Sequence, residues 1–252
     1  MNVDTARARA DLRKRIVGCQ KCGLRAAARS PVPFRGPTPA EFAVVGEGPG
    51  KAEDEQGKPF VGAAGRLLKS LLAEHLQVDL DTEVFVANVV ACRPPGNRTP
   101  TQPEVKSCNQ HLQDQLLLSQ AKWVILLGAT ALKSFRPDAL ITRIHGRPFF
   151  LETTYFFPTF HPAAIFRDRT LQKVVEQDLE RLSYLAMSEE MQAAVGNLEA
   201  KLGDMKLSRW PEDCEKCGKP VHRYSQYGIP YCQKCWERNV KITNVSNQRG
   251  LF

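Results

Sequence analysis

The chain has 252 residues, 42% of them apolar and 25% charged, with a formal net charge of +8 and a pI near 9.1. That is the composition of a soluble globular protein, long enough for one ordinary domain plus an appendage. The excess of positive charge suits a polyanionic partner, nucleic acid being the commonest, as well as solubility alone. No run approaches the ~18 consecutive apolar residues of a membrane span, and the opening "MNVDTARARADLRKR" lacks the apolar core of a secretory signal. A cytoplasmic chain is therefore expected, and in that reducing compartment its eight cysteines suit metal ligation better than disulfides.

In chain order, the first chemistry-bearing feature is the pair Cys19-x2-Cys22. An apolar strand is predicted at 42–46, "FAVVG". The stretch that follows it, "VGEGPGKAEDEQGKPFVGAAG" over Val45–Gly65, holds six glycines, two prolines, four carboxylates and Phe60. Neither the Walker pattern nor G-x-G-x-x-G occurs in it, and its acids would repel a phosphate. Glycines at a strand end let backbone approach a ligand. Glu47, with Glu53 and Asp54 next in order, is then a candidate for polarising a water or supporting a developing cation. A helix is predicted over 65–76, where leucines 67, 68, 71, 72 and 76 share one face.

The second strand, 84–90 "VFVANVV", carries Asn88, a polar amide in a buried run that must find a partner. After it come Cys92, Arg93, "PPGN", Arg98 and Cys108. Thr101 and Glu104 stand at capping-box spacing with Pro103 in the first turn, so a helix is expected over 101–118. Strands follow at 123–127, "WVILL", and 154–160, "TYFFPTF". His161 stands at the end of the last strand, and a helix is expected over 171–186. Short apolar strands separated by helices give an α/β fold with a central four-stranded parallel sheet between two helical layers. Ligands of such sheets bind beyond the carboxyl ends of the strands, where Gly46, Glu47, Asn88 and His161 all fall. We expect one domain over 1–187, a helical linker over 188–208, a zinc-ribbon-like module over 209–240 and a tail over 241–252.

Together "GEGPGKAEDEQGKPFVGAAGRLL", "NVVACRPPGNRTPTQPEVKSC" and "FHPAA" resemble the family-4 uracil-DNA glycosylases, which carry an iron–sulfur cluster. The resemblance runs from about Cys19 to about Leu185 and implies hydrolysis of the bond between uracil and deoxyribose. It implies that the base is flipped into a pocket. There His161 donates to the oxygen where charge gathers, Asn88 reads the polar edge of uracil beside Gly46, and Phe60 stacks on the ring. Glu47 occupies the loop that holds the catalytic acid in related glycosylases. Ile165 and Phe166 read as a wedge for the gap left by the base, and Arg93, Arg98, Arg167 and Arg169 as phosphate clamps. Some relatives capture the abasic sugar through a histidine in the loop after the second strand. "ACRPPGNRTPT" has none, which favours turnover over capture.

The spacing of Cys19, Cys22, Cys92 and Cys108 fits one four-thiolate centre without separating zinc from iron–sulfur; the resemblance implies a [4Fe–4S] cluster with a structural role. Outside the family pattern, Cys214-x2-Cys217-x14-Cys232-x2-Cys235 reads as a zinc site, with an iron centre as the alternative. A module this small depends on its metal to fold, and it would grip DNA or dock a protein. The final Gln248, Leu251 and Phe252 match Q-x-x-L-F, which resembles the short peptide by which bacterial repair proteins bind the sliding clamp. A monomeric, nucleoid-associated enzyme is the expected whole.

Overall fold

In the computed structural model the described residues are 3–151, 153–187 and two short strands at 223–224 and 230–231. The chain divides into two compact units, 1–187 and 188–252. In the first, chain order is α1 Val3–Val17, α2 Leu24–Ala27, β1 Phe42–Gly46, α3 Lys51–Gln56, α4 Ala63–His75 and β2 Val84–Asn88. A 3-10 turn at Pro95–Asn97 precedes α5 Gln102–Ser119, β3 Trp123–Leu127, α6 Gly128–Lys133 and α7 Ile141–Ile144. The unit closes with β4 Phe149–Leu151, β5 Thr154–Thr159, α8 Pro162–Ile165 and α9 Thr170–Ala186. In the second unit β6 Arg223–Tyr224 pairs antiparallel with β7 Pro230–Tyr231.

The sheet order is β2-β1-β3-β5-β4. The four anticipated strands are all present and mutually parallel. The expected four-stranded parallel sheet needs one correction, because β4 adds a fifth strand, antiparallel to β5 at the edge. Three residues are too few to show a period. They hold by pairing with β5 and by ring contacts, Phe149 on Phe156 at 5.4 Å and Phe150 on Tyr155 at 4.9 Å.

Strands β1, β2 and β3 are buried at every residue, as both-face coverage demands. One register row crosses the sheet as Val86, Val44, Ile125 and Phe157. These share a core with Leu68, Leu71 and Leu72 of α4 and Val175, Leu179 and Leu182 of α9. That core keeps the carboxyl ends of the strands in register, so Gly46 pairs with Asn88 and Leu127 with Thr159. α5 starts as its sequence dictates: Thr101 and Glu104 form the capping box, and the Thr101 amide donates to Glu104 at 2.7 Å. Helix α1 is fastened by Arg9 and Arg13, which donate to the carbonyls of Gly36 and Phe34 and lie over the Phe34 ring.

Candidate active site

Gly46 closes β1 beside Asn88, and the pair sets the floor of the site. A Cβ on Gly46 would stand 2.5 Å from Asn88 Oδ1 and 2.5 Å from Phe60 Cζ, closer than non-bonded atoms come, so only glycine lets amide and ring meet there. Asn88 is buried, and its Oδ1 has no hydrogen-bond partner among the described residues. An unpaired buried acceptor costs about 1–3 kcal/mol, which a ligand with a matching N–H removes.

Phe60 sits in the left-handed backbone region at φ 55°, an unusual place for a bulky residue. Its neighbours hold it there. Glu53 accepts from the amides of Val61 at 3.0 Å and Gly62 at 2.7 Å through one oxygen, and from Gly50 at 3.1 Å through the other. Arg35 donates to the Pro59 carbonyl at 2.9 Å. Gly65 admits the loop to α4, since a Cβ there would stand 2.1 Å from the Phe60 carbonyl oxygen. Glu53, Gly46 and Gly65 of this stretch therefore serve to seat one ring. Asp54, also weighed as a reacting acid, is buried and accepts from the Arg29 amide at 2.9 Å.

The Phe60 ring stacks towards His161, with centroids 5.8 Å apart and planes inclined by 29°. His161 Nδ1 accepts from the Ala163 amide at 3.1 Å. In the neutral ring the proton is therefore on Nε2, which makes that nitrogen a donor. Burial, then the charge of Arg167, pulls the His161 pKa down to about 4, so the ring is neutral near pH 7. Glu47 accepts from Thr130 Oγ1 of α6 at 2.5 Å through Oε2. Thr130 was not expected from the sequence: it follows the third strand in "GAT", and only the sheet order brings α6 to β1.

Glu47, Glu53, Phe60, Asn88, Arg98 and His161 line one cavity of about 220 Å³, with Gly48, Pro49 and Gly50 on its wall. The flanking residues divide. Ile165 is fully buried in the core, which corrects its reading as half of a wedge, because the turn of α8 aims it inward. Phe166, 48% exposed, stands at the surface, as does Arg167. Arg93 Nε donates to Asn97 at 2.7 Å. Arg98 makes a two-pronged pair with Glu104 at 2.7 and 2.8 Å, which holds Glu104 near a pKa of about 2 and braces the loop over the cavity.

Cys19, Cys22, Cys92 and Cys108 line a second, smaller cavity, with Lys21, Arg25 and His111. The Ala91 amide donates to Cys108 Sγ at 3.4 Å. Burial, reinforced by the neighbouring cysteines, pushes the Cys92 thiol up to about 12, and burial pushes that of Cys108 up to about 11. Among the described residues no three His, Cys, Asp or Glu side chains converge as a single-ion site. Cys214, Cys217, Cys232, Cys235, Gln248, Leu251 and Phe252 lie outside the described residues, as do residues 188–208.

A mostly parallel α/β sheet with this pocket at its carboxyl edge fits the match of residues 33–183 to the sequence model of the Uracil DNA glycosylase superfamily. The Type-4 uracil-DNA glycosylase of Sulfurisphaera tokodaii is 35% identical over 186 residues, 70% of this chain and 84% of that protein. That of Thermotoga maritima is 38% identical over 173 residues, 67% and 89% of the two chains. That of Archaeoglobus fulgidus is 35% identical over 185 residues, 69% and 92%. The chain belongs to the type-4 uracil-DNA glycosylases.

Proposed function

We propose that the protein excises uracil from DNA by hydrolysing the bond between the base and its deoxyribose. The observation that carries this reading is the unpaired Asn88 Oδ1, buried on the floor of a pocket that also holds the Phe60 ring and the Nε2–H of His161. Uracil offers N3–H to Asn88 Oδ1 and O4 to the amide nitrogen. Cytosine has no N3–H and turns an amino group toward the amide N–H, so donors would face each other unpaired. Phe60 stacks on the flipped ring. The sugar becomes oxocarbenium-like as the bond stretches, and the departing base gathers negative charge that the Nε2–H of neutral His161 meets. Glu47 orients the attacking water and faces the cationic sugar. Glu53 positions Phe60.

Purified protein is tested on an oligonucleotide with one uracil. Strand scission after alkali, absent with cytosine or thymine in its place, is expected. A stable protein–DNA adduct would mean capture, and binding without either would mean an inactive scaffold.

Thr130 ties down one oxygen of Glu47 and leaves the other for water. A hydrogen bond to a charged group contributes about 1.5–3 kcal/mol, so Thr130→Val is expected to slow single-turnover excision by about tenfold or more with little change in KM. Thr130→Ser should restore the rate. An unchanged rate in Thr130→Val would remove this role.

The donor set fits the cofactor of the family reading: four cysteine sulfurs round one cavity, two of them strongly disfavoured as free thiolates, beside two cations. We assign Cys19, Cys22, Cys92 and Cys108 to a [4Fe–4S] cluster that ties the segment after α1 to β2 and α5. Cys214, Cys217, Cys232 and Cys235 are assigned to zinc, a reading supported by the antiparallel pairing of β6 with β7 between the two C-x2-C pairs. Brown protein with one zinc per chain is expected, and Cys92→Ser should bleach the colour and keep the zinc. A colourless protein with two zincs would overturn the cluster but not the glycosylase. Gln248, Leu251 and Phe252 are read as a clamp-binding peptide on a monomeric, cytoplasmic enzyme. Clamp affinity unchanged on deleting residues 248–252 would dismiss that role.

A further inference from the structure

His111 lies on α5 one turn beyond Cys108, so both project from the same helix face. It is 5% exposed, and both ring nitrogens are buried without a hydrogen-bond partner among the described residues. The ring lines the cavity of Cys19, Cys22, Cys92 and Cys108. The Gln115 side-chain amide donates to the His111 backbone carbonyl at 2.8 Å and not to the ring. In either tautomer the ring carries at least one N–H.

A buried N–H left unpaired carries a desolvation penalty, and the four cysteine sulfurs line the same cavity as this ring. Four thiolates and their sulfides are electron-rich, and donors aimed at sulfur are a recognised control of cluster potential. The Ala91 amide already donates to Cys108 Sγ at 3.4 Å.

We propose that His111 donates its ring N–H to a sulfur of the cluster held by Cys19, Cys22, Cys92 and Cys108, and so sets the cluster's reduction potential and resistance to oxidative loss. The inference rests on the iron–sulfur reading above. A donor to sulfur stabilises the more negative, reduced state, so His111 raises the potential. His111→Leu fills similar space without a donor, and His111→Gln keeps one.

The test uses the full chain purified without oxygen, first assayed for iron and acid-labile sulfide. Selective ¹⁵N-histidine labelling then looks for a ring N–H resonance shifted by the cluster's paramagnetism, and voltammetry reads the midpoint potential. Expected are one such shifted resonance, missing in His111→Leu, a more negative midpoint in His111→Leu with recovery in His111→Gln, and faster bleaching of His111→Leu in air. If iron and sulfide are present but no ring N–H is shifted, the inference falls and the cluster stands. Where His111→Leu assembles its cluster, an unchanged midpoint overturns the inference equally. If His111→Leu fails to fold, the wild-type resonance decides alone. If the wild type holds no iron or sulfide, both readings fall.

Discussion

His161→Ala is expected to slow uracil excision by about 10²–10³-fold, with substrate binding nearly unchanged. The size is that of removing one preorganised donor from developing negative charge. The loss falls on turnover because the charge exists in the transition state and not in the bound substrate. The tautomer makes the case specific: Ala163 occupies Nδ1, so the donor is Nε2–H. With a pKa of about 4 against an ordinary 6.5, the ring stays a neutral donor over the working range. The single-turnover rate should therefore show no inflection near pH 6.5 from this group. The same shift has a sign in stability. The unfolded chain binds a proton at this histidine below pH 6.5, while the folded chain resists it until about pH 4. The contribution is thus present above pH 6.5 and is lost progressively as pH falls toward 4. Wild type should lose more thermal stability between pH 7 and pH 4.5 than His161→Ala does. Near-native single-turnover excision by His161→Ala, or a ring that titrates near 6.5 by NMR, would refute the assignment.

Gly46→Ala adds one methyl and is expected to reduce excision by about 10²-fold. Its Cβ would stand 2.5 Å from Asn88 Oδ1 and from Phe60 Cζ, and neither partner has a free retreat. Asn88 ends a buried strand, and the Phe60 backbone is pinned through Glu53, Arg35 and Gly65. The ring can yield only into the space a flipped base needs, and an error near 1 Å in such a site costs about 10²-fold. The loss should appear in KM as well as in the rate, unlike that of His161→Ala. Overpacking of this kind costs about 1–3 kcal/mol, so the fold should survive. Wild-type kinetics in Gly46→Ala would show that the contact between Gly46, Asn88 and Phe60 is slack.

Much of the fold was legible in local pattern. Parallel strands buried on both faces read as unbroken apolar runs, and β1 and β3 match "FAVVG" and "WVILL" residue for residue. Helix α4 appeared in its leucine spacing, and α5 in the Thr101–Glu104 box. Strand β4 was not legible, because three residues carry no period and depend on β5 for their bonds. In the site, the motifs named the cast: Glu47, Phe60, Asn88 and His161 meet in one cavity, and the four N-terminal cysteines in another.

Chain chemistry alone could say which residues carry reactive groups and that they gather at the carboxyl edge of a parallel sheet, because residue type and period are local properties. It could not say what each carboxylate does. Glu47 and Glu53 look alike in "GEGPGKAEDE". One lies beside Thr130, 83 positions away, and the other is consumed by the amides of Gly50, Val61 and Gly62. Nor could it tell Ile165 from Phe166, since a single residue's step around α8 sends one into the core and the other to water. Partners distant in sequence are set by the order β2-β1-β3-β5-β4 and by the packing of helices on it. The roles of like residues were decided there, by which hydrogen-bonding groups and which empty space the tertiary fold puts beside them.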